Sequence, residues 1–168
     1  MNFEEITIQN NKIPILANLA HKIWNEYWTI ILTQGQIDYM VEKFQSENAI
    51  KKQIKNDNYR YFFIKDKKEN IGYIGLQDKL EYLFLSKLYL KKNFRHKGFG
   101  TKAFNFITQF AKENKFEKII LTVNKNNKNT IEAYKKWGFD IINSVVTDIG
   151  NNYVMDDYIM EYKIKSGC

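Results

Sequence analysis

The chain has 168 residues, 44% hydrophobic and 27% charged, which suits one ordinary domain spanning residues 1–168 around a single core. No run approaches the ~18 consecutive apolar residues of a membrane span, the opening MNFEEITIQNNKI lacks an export signal's basic-then-apolar order, and the single cysteine, Cys168, has no partner for a disulfide or a metal cluster. A net charge of +7 would suit nucleic acid or a phosphorylated small molecule, but the lysines are spread along the chain with no basic tail, so the expectation is a soluble cytoplasmic protein with no membrane or metal and with nucleic acid not expected as a partner.

In chain order, Phe3 to Ile8 alternates weakly and suits an edge strand. From Pro14, placed for a helix first turn, Ile15, Leu16, Leu19, Ala20, Ile23, Trp24 and Tyr27 recur at helical spacing to about residue 30. A second helix is expected over Gln36 to Phe44 and a third, behind a Ser46 cap, to about Lys55. The period then changes: YRYFFIK (59–65) and IGYIGLQ (71–77), joined by DKKEN, read as a hairpin, and LEYLFLSKLYL (80–90) as a further strand. Phe99, Ala103, Phe106, Ile107 and Phe110 then line a helical face to about Asn114, KIILTV (118–123) is a covered strand, and 127–137 is a helix stopped by Gly138. FDIINSVV and YVMDDYIMEYKI close the chain as an antiparallel pair. Helices, a meander and one strand-helix-strand unit predict an α/β (α+β) three-layer domain.

The stretch LYLKKNFRHKGFGTKAF (88–104) spends two of the chain's eight glycines, Gly98 and Gly100, behind Lys91, Lys92, Arg95 and Lys97. Between a strand end and a helix start, such a turn leaves N–H groups without helical partners at the positive end of the helix dipole, which is an anion cradle. An ordinary strand-to-helix turn with solvated lysines is the alternative from spacing alone. The dinucleotide fingerprint would need a third glycine and a later acid, and the P-loop needs Gly-Lys-Ser/Thr; neither is present.

Arg95, His96, Lys97, Gly98, Phe99 and Gly100 resemble the Gln/Arg-x-x-Gly-x-Gly/Ala motif of the GCN5-related N-acetyltransferase (GNAT) superfamily, and VNKNNKNTIEAYKKWGF (123–139) resembles that family's fifth strand and following helix, with Asn127, Tyr134, Gly138 and Phe139 in matching places. More narrowly, LSKLYL, IWNEYW and QIDYMVEKF are similar to the PaiA-like branch associated with polyamine acetylation. The resemblance implies a GNAT-like α/β/α fold with a mixed, mostly antiparallel central sheet whose strands 4 and 5 splay apart. It implies acetyl-CoA as co-substrate and no metal, with the pyrophosphate on the amides of 95–100, Thr101 adding a hydroxyl, and the pantetheine arm along Leu88, Tyr89 and Leu90 as an added strand. Asn127 is a cofactor contact or a helix N-cap, and Tyr134 a cofactor contact and the proton donor, otherwise a core aromatic. The acceptor is a primary amine of a small molecule. A protein amine, or a phosphate- or nucleic-acid-binding role on an inactive scaffold, stays open, as does a homodimer.

An amine acceptor needs a base. The candidates are Glu26 in the first helix and Glu81 early in the fourth strand, then Asp38 and Glu42; Phe84 stands where many relatives carry a strand-borne glutamate. Trp24, Tyr27, Trp28 and Tyr39 are core rings or a cation-π wall for a polyamine.

Overall fold

A computed structural model describes residues 1–166; Cys168 lies outside them. The chain forms two compact units, Met1–Asp78 with Ser86–Ala103, and Lys79–Leu85 with the chain from Phe104 onward.

In the first unit, strand β1 (Asn2–Ile6) precedes helix α1 (Ile13–Tyr27), which takes Pro14 in its first turn and buries Leu16, Leu19, Ala20, Ile23 and Trp24 along one face. A 3-10 turn (Trp28–Ile30) leads to α2 (Gln34–Gln45) and α3 (Glu47–Asn56). Hydroxyl caps start both: Thr33 accepts from the Gln36 N–H and Ser46 from the Ala49 N–H. Strands β2 (Tyr59–Asp66) and β3 (Glu69–Asp78) form the expected hairpin, reversing at Lys67 with φ 54°. Hydrogen bonding runs β1-β2-β3-β4, where β4 spans Leu83–Leu90 and contributes Ser86–Leu90 to this unit. Gly72 is where β3 meets β4 closely, since a Cβ there would lie 3.2 Å from the Leu90 Cα and still nearer the Tyr89 carbonyl oxygen.

A buried polar chain ties these helices to the hairpin. The Trp24 indole donates to the Tyr73 hydroxyl (2.8 Å), which donates to Gln45 Oε1 (2.7 Å); the Tyr61 hydroxyl donates to Gln53 Oε1 (2.6 Å). Tyr61 and Tyr73 are 0% exposed, so each ring removes its full apolar area from water while its hydroxyl stays satisfied.

The second unit holds the start of β4, most of helix α4 (Phe99–Glu113), strand β5 (Lys118–Asn124), helix α5 (Lys128–Trp137) and strands β6 (Asp140–Gly150) and β7 (Tyr153–Lys163). Strand β4 is parallel to β5 through Leu83↔Ile119 and Phe84↔Ile120, and the ladder goes no further. β5 pairs antiparallel with β7, and β7 with β6. The sheet is therefore mixed and mostly antiparallel, with the short parallel ladder expected of splayed fourth and fifth strands. Gly138 closes α5 at φ 104°, a left-handed cap that L side chains resist.

Two expectations change. The strand expected from residue 80 begins only at Leu83: Lys79–Tyr82 is a turn in which Leu80 sits at φ 66° and 86% exposed, with the Lys79 N–H bonded to the Tyr82 carbonyl (3.1 Å). Glu81 thus lies in a turn before the strand. On α4 the buried stripe is Ala103, Phe104, Ile107 and Ala111, rotated away from the Phe106 and Phe110 positions. No helix among the described residues is long and apolar enough to cross a membrane.

Candidate active site

The first unit carries the glycine turn. After β4, a 3-10 turn (Lys92–Phe94) leads through His96 (φ 59°) and Gly98 (φ 82°) into α4 at Phe99. Among the described residues no N–H of residues 96–101 finds a hydrogen-bond acceptor; the first bond of the helix is from Lys102 N to the Gly98 carbonyl at 3.2 Å. A Cβ added at Gly98 would meet nothing within 4 Å, so the space beside this residue is open. Unpaired donors at a helix's positive end, bared by glycine, fit a diphosphate.

The cations contribute unequally. Lys92, His96 and Lys97 are exposed around the turn, as is Thr101 at its far side. Lys91 is held by Glu69 (2.8 Å). Arg95 departs from the expected ring of charge: its Nε donates to the Leu90 carbonyl (3.0 Å), and its guanidinium lies 4.9 Å from the Tyr27 ring centroid. Its main-chain N–H is bonded to the Lys92 carbonyl (3.3 Å), and its Nη2 is enclosed without a hydrogen-bond partner.

Leu88, Tyr89 and Leu90 are half-buried. The Tyr89 ring packs among Trp24 (5.6 Å between centroids), Tyr27 (5.7 Å) and Tyr73 (5.6 Å), so what this residue can offer a ligand is backbone. Of the rings considered for a polyamine, Tyr27 carries Arg95, Trp28 packs edge-on to Tyr27 at 5.0 Å, and Tyr39 faces Lys43.

Next to this strand end is a residue that its sequence context does not single out. Lys87 is half-buried and donates to the Ser86 hydroxyl (2.8 Å), and burial pushes its ammonium pKa down to about 8. Gly75 makes room for it, since a Cβ there would lie 3.1 Å from the Lys87 Cγ.

In the second unit, Asn127 occupies the N-cap position of α5 and is buried (8% exposed), yet its side chain makes no capping bond. Tyr134 is buried on the same helix, edge-on to Trp137 (5.6 Å) and Phe139 (5.5 Å), while Phe104 stacks on Trp137 at 4.9 Å. Of the acids considered for proton transfer, Glu26, Asp38, Glu42 and Glu81 are all exposed. The buried carboxylate among the described residues is Asp157 on β7. Its position in the alternating tail YVMDDY gave no signal. Burial raises its pKa to about 6, helped by Asp156 and opposed by Lys125. No group of three or more His, Cys, Asp or Glu side chains among the described residues is arranged to hold a metal.

The model of the acetyltransferase (GNAT) family matches residues 19–139. This chain belongs to the GNAT family. Among GNAT relatives, a probable N-acetyltransferase, san, of Drosophila melanogaster is 40% identical over 63 residues, 37% of this chain and 34% of that protein; the chain thus aligns with about a third of that relative's length. The PaiA N-acetyltransferase of Thermoplasma acidophilum, solved with coenzyme A, superposes with a TM-score of 0.79 at 22% identity, over 97% of this chain and 99% of that one. An aminoglycoside 6'-acetyltransferase of type Ii superposes at 0.66 with 19% identity, over 100% of both chains. Both are likenesses of fold. They agree with the GNAT topology of the two units described above.

Proposed function

We propose that this protein is an acetyl-CoA-dependent N-acetyltransferase whose acceptor is a primary amine of a small molecule, with polyamines the first class to test. The observation that carries the reading is the run of unpaired N–H groups at residues 96–101 with open space before Gly98, in a chain of the GNAT family. Acetyl-CoA supplies an activated acyl group as its thioester. The N–H groups of residues 96–100, with the Thr101 hydroxyl, hold the diphosphate, the backbone of Leu88, Tyr89 and Leu90 takes the pantetheine amides, and Asn127 adds a further contact.

The chemistry asked of the side chains is modest. An alkyl ammonium of pKa ~10.4 is a free amine about once in 2,500 molecules at pH 7, a shortage of about 4.6 kcal/mol. The leaving thiol, with pKa ~8.5, needs less help, and Tyr134 gives it a proton at a gain of ~10² to 10⁴. Holding the amine against the thioester is worth ~7 to 11 kcal/mol, so positioning dominates.

The test is a panel of putrescine, spermidine, butylamine and a short peptide, scored by free thiol release with acetyl-CoA, beside thermal melts with acetyl-CoA and with an oligonucleotide. Thiol release with a small amine and a melt raised by acetyl-CoA are expected. A melt raised by the oligonucleotide alone, with no thiol released, refutes the enzyme.

A further inference from the structure

Asp157 is only 4% exposed, and its Oδ1 is fully enclosed with no hydrogen-bond partner among the described residues. The groups facing it compensate the charge only in part. On β7 its neighbour Asp156 adds a like charge; Lys125, just after β5, spends its ammonium on Asp156 at 2.8 Å. Across the ladders it stands opposite Asn124, the last residue of β5, and Val145 of β6. Further along the same face of β7 is Glu161, whose carboxylate is 3.8 Å from the Lys118 ammonium. An enclosed carboxylate oxygen without a partner is costly for a fold to carry, and a cation from outside the chain would complete it.

Its place narrows what that cation is. Alternation along β7 puts Asp157 on the sheet face opposite Tyr162, whose ring packs against Phe104 (5.2 Å) and Phe139 (5.5 Å). Asp157 therefore faces away from the α4 and α5 aromatic cluster. It sits beside the end of β5, where Asn124 accepts the Asn127 N–H at 2.9 Å. Asn127 is the residue assigned to the cofactor above.

We propose that Asp157 binds the acceptor's ammonium and takes its proton. The inference rests on the acetyltransferase reading above. The carboxylate removes one proton from R–NH₃⁺, and the freed lone pair attacks the thioester carbonyl. The C–N bond forms as the C–S bond breaks with its electron pair on sulfur; the second nitrogen proton passes to the thiolate, and Asp157 later returns the first to water. The products are the amide, the free thiol and one proton. A pKa near 6 leaves Asp157 ionised at neutral pH and still basic enough for this work.

The test is Asp157→Asn, which keeps shape and removes the basic oxygen. With the panel amine turned over fastest, kcat/KM of the wild type should rise with pH through a midpoint near 6. The variant should lose roughly 10²-fold or more in kcat/KM and lose that acid limb, while its acetyl-CoA-induced melting shift stays that of the wild type. A carboxyl ¹³C titration of the wild-type protein gives an independent check, since the same amine should lower the Asp157 midpoint. A variant that keeps both its rate and its acid limb, or an unmoved midpoint, overturns the assignment and leaves the acetyltransferase reading standing. If the wild type acetylates no panel amine, that reading falls and takes this one with it.

Discussion

Replacing Gly98 separates folding from binding. The residue sits at φ 82° with no atom within 4 Å of where a Cβ would stand, so a side chain there meets backbone strain but no steric wall from the protein. Left-handed backbone costs a non-glycine residue about 1 to 2 kcal/mol. At about 2 to 4 °C per kcal/mol for a protein of this size, Gly98→Leu should melt roughly 2 to 8 °C lower and remain folded. Binding should suffer far more, because the side chain would occupy the space before the N–H groups of residues 96–101. Losing two charge-assisted hydrogen bonds at about 1.5 to 3 kcal/mol each weakens acetyl-CoA by roughly 10² to 10⁴. Calorimetric titration with acetyl-CoA, alongside a melt without ligand, reads both quantities. Wild-type affinity in a folded Gly98→Leu protein would refute the placement of the diphosphate.

Three further substitutions probe the rest. Tyr134→Phe keeps the ring packing against Trp137 and Phe139 and should lower kcat roughly 10²-fold with little change in melting temperature; full kcat would remove the hydroxyl from the mechanism. Tyr73→Phe strips the Trp24 indole of its acceptor and Gln45 Oε1 of a donor, and should cost about 1 to 3 kcal/mol in denaturant unfolding; an unchanged midpoint would mean the network is not holding the helices. Lys87 has its pKa lowered to about 8, so the native state disfavours its charge fully below that pH, and the penalty fades as pH rises toward the unfolded value of 10.5. Lys87→Met should therefore be more stable than wild type at pH 7, by roughly 1 to 2 kcal/mol after allowance for its partial exposure, with the advantage shrinking by pH 10; equal stability at both pH values would contradict this.

Most elements were legible because their signals are local. Helical spacing from Pro14, the hydroxyls of Thr33 and Ser46, and Gly138 each act within a few residues of where they sit. Leu80 misled because an exposed leucine at positive φ has the composition of a strand and the backbone of a turn. The glycine turn was legible as a strand-to-helix turn with bared N–H groups, but the direction of Arg95 was not, since its course is decided by Tyr27, far away in sequence. Asp157 and Lys87 were missed for the same reason. Each looks like an ordinary polar residue on an alternating strand, and its burial comes from partners that only the fold assembles.

With Arg95 turned toward Tyr27 and Lys91 engaged by Glu69, the proposed anion cradle is left mainly to peptide groups. Peptide N–H groups survive every substitution except that by proline. Any charged side chain around that turn can drift to another residue while the grip persists, provided position 98 stays free to adopt its left-handed backbone. Genetic variation in this chain should therefore gather in what greets the amine, and leave the handle for the coenzyme unaltered.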